Sequence, residues 1–124
     1  MFYNKIYSKV KENIESKPGF LQSFIDQAIQ TKIWNFLKTG SVHHTFYDWT
    51  IFALMKKALG GRVRMLVSSG APLRGDVKNF LAVVFSSNIF ECMGMTEAAG
   101  CLTSTAIWEK GAGHVGGILP CLRM

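Results

Sequence analysis

Apolar residues recur first at helical and then at strand spacing, and that change of period organises the chain. Between Phe2 and Ile14, Tyr3, Tyr7, Val10 and Ile14 follow in steps of four, three and four, which lays one stripe along a helix. Pro18 and Gly19 end it. A second stripe runs through Leu21, Ile25, Ala28, Ile29, Ile33 and Phe36 to Gly40, a residue suited to the left-handed position just past a helix end. Ser41 to Thr45 reads as a polar connector. Asp48 is expected to cap a third helix through Trp49, Phe52, Met55 and Leu59, stopped by Gly60 and Gly61. Residues 1–60 thus form a helical segment.

From Gly61 the period shortens. Val63, Met65, Leu66 and Val67 make a brief apolar run bounded by Gly61 and by Ser68-Ser69-Gly70, the pattern of a buried strand. Val77, Phe80, Leu81 and Val84 give Asp76 to Phe85 helical spacing, and Asn88 to Cys92 offers a second strand. Strand, loop, helix and strand make a βαβ unit, which implies a parallel pair joined by a right-handed crossover. Leu102 to Trp108 is a third expected strand, followed by the glycine-dense stretch from Gly111 to Gly117 and a terminal run that begins an element without completing it. The expected fold class is therefore α/β, with a helical lead-in followed by a βαβ unit of a mostly parallel sheet in residues 61–124.

Composition narrows the function classes. The chain has 124 residues, 48% of them hydrophobic, which suits one modest core and excludes a disordered, collagenous or repeat protein. No run approaches the ~18 consecutive apolar residues of a membrane span. Lys5, Lys9 and Lys11 interrupt the amino end where a secretory signal would place its apolar core, so no signal peptide is expected. Cys92, Cys101 and Cys121 are odd in number and widely spaced, which fits reduced thiols in a cytosolic setting better than a disulfide framework or zinc ribbon. His43, His44 and His114 lack the i, i+4 partner that would put two ligands on one helix face. All of the net charge of +6 sits in the first half, where ten Lys and Arg face four Asp and Glu. Such a basic half could meet anionic headgroups, phosphates or nucleic acid, although its scattered lysines equally fit a solvated helix face.

Candidate chemistry sits in two loops, since ligands of parallel α/β sheets collect beyond the carboxyl ends of strands. Ser68-Ser69-Gly70-Ala71-Pro72-Leu73 is built of small residues that let a flat group lie on the main chain, and Pro72 stiffens it. Met93-Gly94-Met95-Thr96-Glu97 sets a hydroxyl beside a carboxylate just after a strand; the first suits a phosphate oxygen and the second a magnesium ion. Each loop also reads as an ordinary turn. Their separation by one βαβ unit favours a joint site.

The succession LGGRVRMLVSSGAPL, a helix, NIFECMGMTEAAG and then GHVGGILPC resembles the acyl-CoA synthetases of the adenylate-forming superfamily, and most of all the long-chain fatty acid branch. FYNKIYSKV and WTIFALMKKALGGRVR are similar to that branch as well, so the likeness covers nearly the whole chain. It implies a piece of the large amino-terminal domain, with both halves belonging to one incomplete AMP-binding domain. It also implies that Gly70, Ala71 and Pro72 pack against adenine, that Met93 and Gly94 belong to the same nucleotide site, that Thr96 touches the nucleotide phosphate, and that Glu97 is associated with magnesium. Thr96 and Glu97 are thereby the expected catalytic residues. ATP and Mg2+ are the implied cofactors, with long-chain fatty acid and CoA as co-substrates. The implied setting is the cytosolic side of a membrane such as the endoplasmic reticulum, with peripheral contact and no nucleic acid as partner. His114-Val115-Gly116-Gly117 matches a glycine-rich turn of architectural importance.

The sequence also departs from the family. Met93 stands where a tyrosine usually stacks on adenine, and Cys92 and Ser69 stand where glycine is common. The Ser/Thr/Gly-rich phosphate loop, the ribose-binding aspartate and the carboxyl-terminal domain with its lysine do not occur among these residues, so the 124 residues alone are not expected to complete adenylation. The rival expectation is a non-catalytic fragment acting as a membrane-surface or protein-interaction module. Gly111 to Gly116 also fits GxGxxG, but Gly117-Ile118-Leu119-Pro120 follows in place of a helix, which counts against a dinucleotide fold. No G-x-S-x-G supports a serine hydrolase.

Overall fold

The computed structural model describes residues 2–43, 45–106, 109 and 111–120. Three helices lead: α1 over Phe2–Glu15, α2 over Gly19–Thr39 and α3 over Thr45–Ala58. Gly40 closes α2 at φ 79°, its amide donating to the Phe36 carbonyl, as the stripe and its glycine predict. Asp48 does not cap α3, which starts three residues earlier. It lies in the first turn, where the helix dipole favours a carboxylate, and there it accepts from the Lys32 ammonium and the Ser86 hydroxyl. A partner from two other helices takes precedence over local capping.

The second half supplies β1 over Met65–Ser69, α4 over Gly75–Phe85, β2 over Asn88–Met95, β3 over Gly100–Ser104 and β4 over Gly117–Ile118. β1 and β2 pair in parallel from Met65 opposite Asn88 to Ser69 opposite Cys92, which is the expected βαβ unit. The rest corrects the expectation of a mostly parallel sheet. β3 runs antiparallel to β2 and β4 antiparallel to β3, so the four strands, in the order β1-β2-β3-β4, form a mixed sheet. The physical reason is local: a 3-10 turn at Thr96–Ala98 with Ala99 left-handed at φ 57° reverses the chain at once, leaving no crossover segment. The third strand ends at Ser104, short of the expected Trp108, and Ile107 and Trp108 lie outside the described residues.

α4 holds the layers together. It packs against all three leading helices on one side and against β2 on the other. Val77, Leu81, Ala82, Val83, Val84 and Phe85 are buried along it, joined by Ile14, Ile25, Ala28, Ile29, Phe52 and Ile89 from its neighbours. Among the described residues only one face of the sheet gains this cover. β1 was expected to be buried, yet Met65 and Val67 are 58% and 49% exposed, because Leu66 and Ser68 point toward the core while their neighbours on the strand point away. α1 still reaches that edge: the Tyr3 hydroxyl donates to the Val67 carbonyl at 2.6 Å. Among the described residues no helix is long and apolar enough to cross a membrane.

Candidate nucleotide cleft

β1 and β2 end side by side, so the loops that leave them start from one place. Ser69 and Gly70 at the end of β1 meet Cys92, Gly94, Met95 and Thr96 from the end of β2, and Gly100 and Cys101 of β3 complete the wall. Together they enclose a cleft of about 420 Å³, within the range of small-molecule sites. Two of its glycines are there for different reasons. Gly70 sits at φ 83°, a left-handed bend that turns the chain away from the strand. Gly94 leaves no space for a side chain, since a Cβ there would run into the Gly100 carbonyl across the β2–β3 irregularity.

Of the residues singled out in the sequence, Gly70, Gly94 and Thr96 line this one cleft. Ala71 and Pro72 follow Gly70 and are exposed; Glu97 is the exposed second residue of the 3-10 turn that Thr96 begins. Met93 is 40% exposed on β2, one residue out of step with Cys92 and Gly94, and its side chain is not among the lining groups. The two loops are therefore neighbours at one end of the sheet.

Beneath the cleft lies a buried ion pair that pattern reading passed over. Lys78 on α4 and Glu91 on β2 are 3.0 Å apart, with side chains only 5% and 3% exposed. The Lys78 ammonium also donates to the Gly111 carbonyl at 2.9 Å, and the Leu73 amide donates to Glu91 Oε2 at 3.4 Å. The Glu91 main chain exchanges two bonds with Thr105, its amide donating to Thr105 Oγ1 and its carbonyl accepting from the Thr105 amide. Glu91 Oε1 faces Lys78 without hydrogen-bond alignment, so charge rather than a directed bond holds that oxygen. The pair ties the 70–73 loop to the segment that follows β3. The signal was present in the sequence: Glu91 shares the parity of Ile89 on β2, which places its carboxylate on the covered face.

Known proteins bear on the same residues. A family model described as AMP-binding enzyme matches residues 18–124. Long-chain-fatty-acid–CoA ligase 5 of Rattus norvegicus is 32% identical over 121 residues, covering 95% of this chain and 17% of that protein. A peroxisomal long chain acyl-CoA synthetase 7 of Arabidopsis thaliana is 31% identical over 114 residues, 92% of this chain and 16% of its own length. Long-chain-fatty-acid–CoA ligase 1 of Homo sapiens is 38% identical over 88 residues, 68% of this chain and 12% of that protein. The chain thus spans less than a fifth of the curated relatives it matches. No solved structure matches it. With the family model covering all but the first helix, and long-chain synthetases aligned across both loops, the chain belongs to the AMP-binding enzyme family.

Proposed function

We propose that the chain forms the floor of the nucleotide site in a long-chain fatty acid–CoA ligase. That enzyme activates a fatty acid with ATP as an acyl-adenylate and then transfers the acyl group to CoA. The observation that carries the reading is the shared cleft, in which Ser69 and Gly70 of one loop face Gly94 and Thr96 of the other. In this reading Gly70, Ala71 and Pro72 carry the adenine, with Met93 as a flexible apolar cover at the edge. The Thr96 hydroxyl holds a phosphate oxygen. Glu97 takes the magnesium ion, and both halves of the chain are parts of one AMP-binding domain.

The donor chemistry fits. Magnesium keeps several waters and is commonly held by one or two carboxylates together with substrate phosphates, so a single exposed Glu97 beside Thr96 is a sufficient protein contribution. When bound, the ion supplies positive charge against the phosphates. Gly70 contributes a bend without a side chain, which lets a flat ring approach the backbone, and Gly94 keeps the floor of the cleft low.

The test uses a complete enzyme carrying this segment. Glu97→Gln should lower fatty-acid-dependent pyrophosphate release roughly 10²- to 10³-fold, the scale of removing one preorganised charge-stabilising group, with the thermal midpoint unchanged. Near-normal release would overturn the assignment. A second reading is favoured by one observation, the exposure of Phe20, Trp49 and Leu54 at 82%, 82% and 72% on helices that also carry lysines. There the leading helices dock on a membrane surface, on the cytosolic side of the endoplasmic reticulum for example. Co-sedimentation with anionic vesicles, lost at high salt, distinguishes it.

A further inference from the structure

We propose that Cys92 and Cys101 form an oxidisable dithiol in the wall of the cleft, which a hydroperoxide closes to a disulfide between β2 and β3. The proposal does not depend on what the cleft binds. Both thiols are free, Cys101 exposed and Cys92 partly covered, and both line the same space. Their strands pair antiparallel with Cys92 opposite Ser104 and Cys101 opposite Gly94, so the two cysteines are diagonal neighbours on one face. Two features shape how β2 and β3 meet at this diagonal.

The first is the register shift between Met93 and Gly94, which puts one extra residue, Leu102, on β3 and tilts Cys101 along the ladder. The second is Gly94 itself, which has no side chain and so lets the Gly100–Cys101 main chain pack directly against β2. The Cys101 thiol donates to the Thr103 carbonyl at 3.0 Å, which turns it along β3. Both thiols line the one cleft, and Ser69 stands opposite Cys92 in the β1–β2 pair.

The two thiols differ, and the difference orders the chemistry. Burial pushes the Cys92 thiol up from its ordinary value, and the neighbouring Cys101 thiol pushes the same way, with the Ser69 hydroxyl opposing. Cys101, in the open, is the sulfur that meets the oxidant. Its thiolate attacks one oxygen of the hydroperoxide, the O–O bond breaks, and a sulfenic acid forms with release of an alcohol, or of water from hydrogen peroxide. Cys92 sulfur then attacks the Cys101 sulfur, the S–O bond breaks, and water leaves with the Cys92 proton. Two thiols lose two electrons and two protons; the peroxide takes up both.

The experiment uses the full 124-residue chain with Cys121→Ser, so that only the two cysteines in question remain. After titration with hydrogen peroxide, maleimide labelling and intact mass should show both thiols lost together in the monomer, and a peptide map made with a glutamate-specific protease, which cuts after Glu97 between the two, should link Cys92 to Cys101. In Cys92→Ser, dimedone should trap a lasting sulfenic acid on Cys101; in Cys101→Ser, Cys92 should label more slowly. Reduced protein should also bind phenylarsine oxide one to one, resisting a monothiol and releasing to 2,3-dimercaptopropanol. Independent loss of the two thiols, links only between chains, or an arsenical adduct that a monothiol strips would overturn the proposal. If Cys121→Ser does not fold, the same map on the unaltered chain decides, since a Cys92–Cys101 link is distinct from any link to Cys121.

Discussion

The two faces of the sheet solve opposite problems. The face toward α4 is covered, and every polar group on it has to be answered from within the protein. Lys78 is almost fully buried there, at 4% exposure, and Lys32, at 2%, is buried behind it among the helices. Lys32 meets Asp48, the Val83 carbonyl and the Ser86 hydroxyl, and lies over the Phe52 ring. Lys78 meets Glu91 and the Gly111 carbonyl. Among the described residues the cleft and the outer face hold no buried charge of their own; they are shaped by two glycines and a reversal of the chain. Buried charge fixes how the elements sit against one another, whereas absent side chains let the main chain bend at Gly70 and approach closely at Gly94 where the loops converge. Stability and ligand space are thus assigned to different sides of one sheet.

The sharpest way to break that division is to remove the buried charge that joins three helices. Lys32→Ala takes the ammonium away from Asp48 and Ser86, and breaking a buried pair by deleting one member costs about 3–5 kcal/mol. Urea unfolding followed by far-UV circular dichroism should show a midpoint shift of that size, approaching loss of the cooperative transition. Burial holds the Lys32 ammonium below its ordinary value, with Asp48 opposing, so part of this charge's solvation is already surrendered on folding. Lys32→Met should consequently cost less than Lys32→Ala, since it refills the volume without a charge.

A smaller effect tests the cleft end. Gly94→Ala forces a Cβ against the Gly100 carbonyl, main chain that cannot swing away, and overpacking of that kind costs about 1–3 kcal/mol. Gly70→Ala meets nothing in space and fails only on conformation, at about 1–2 kcal/mol for a left-handed residue with a Cβ. Thermal melts of both variants should preserve that order. A Gly70→Ala loss larger than that of Gly94→Ala would mean the strand irregularity, not the loop, is the adaptable part.

What was legible in the sequence follows the same division. Periodicity gave α1 and α2 nearly to the residue because each has one wet and one packed side, and α4, buried on nearly all sides, from its apolar spacing; Gly40, Gly60 and Gly61 all adopt the left-handed backbone that ends helices. The two loops could be paired because a βαβ unit brings the ends of parallel strands together. Three things were hidden. Asp48 looked like a cap, since its partner Lys32 lies on a different helix and its other partner, Ser86, follows α4. The direction of β3 depended on a three-residue turn that carries no hydrophobic signal. The burial of β1 was overestimated because an apolar run does not say how many faces will find cover, and here only one does.

The outer face itself gives the smallest and most discriminating expectation. Val67 is half exposed on β1, its carbonyl engaged by Tyr3 but its side chain turned away from α4. Threonine keeps the branched shape that suits a strand and adds only a hydroxyl, which water satisfies on an open face. Val67→Thr in the 124-residue chain should therefore shift the unfolding free energy by less than about 0.5 kcal/mol, the ordinary range for surface positions. The same substitution in a complete enzyme of this family then reads out what lies over that face. If further chain packs on β1 there, the buried hydroxyl without a partner should cost about 1–3 kcal/mol more than it does here. Equal costs in the two settings would mean that the sheet keeps its outer side open in the whole protein as well.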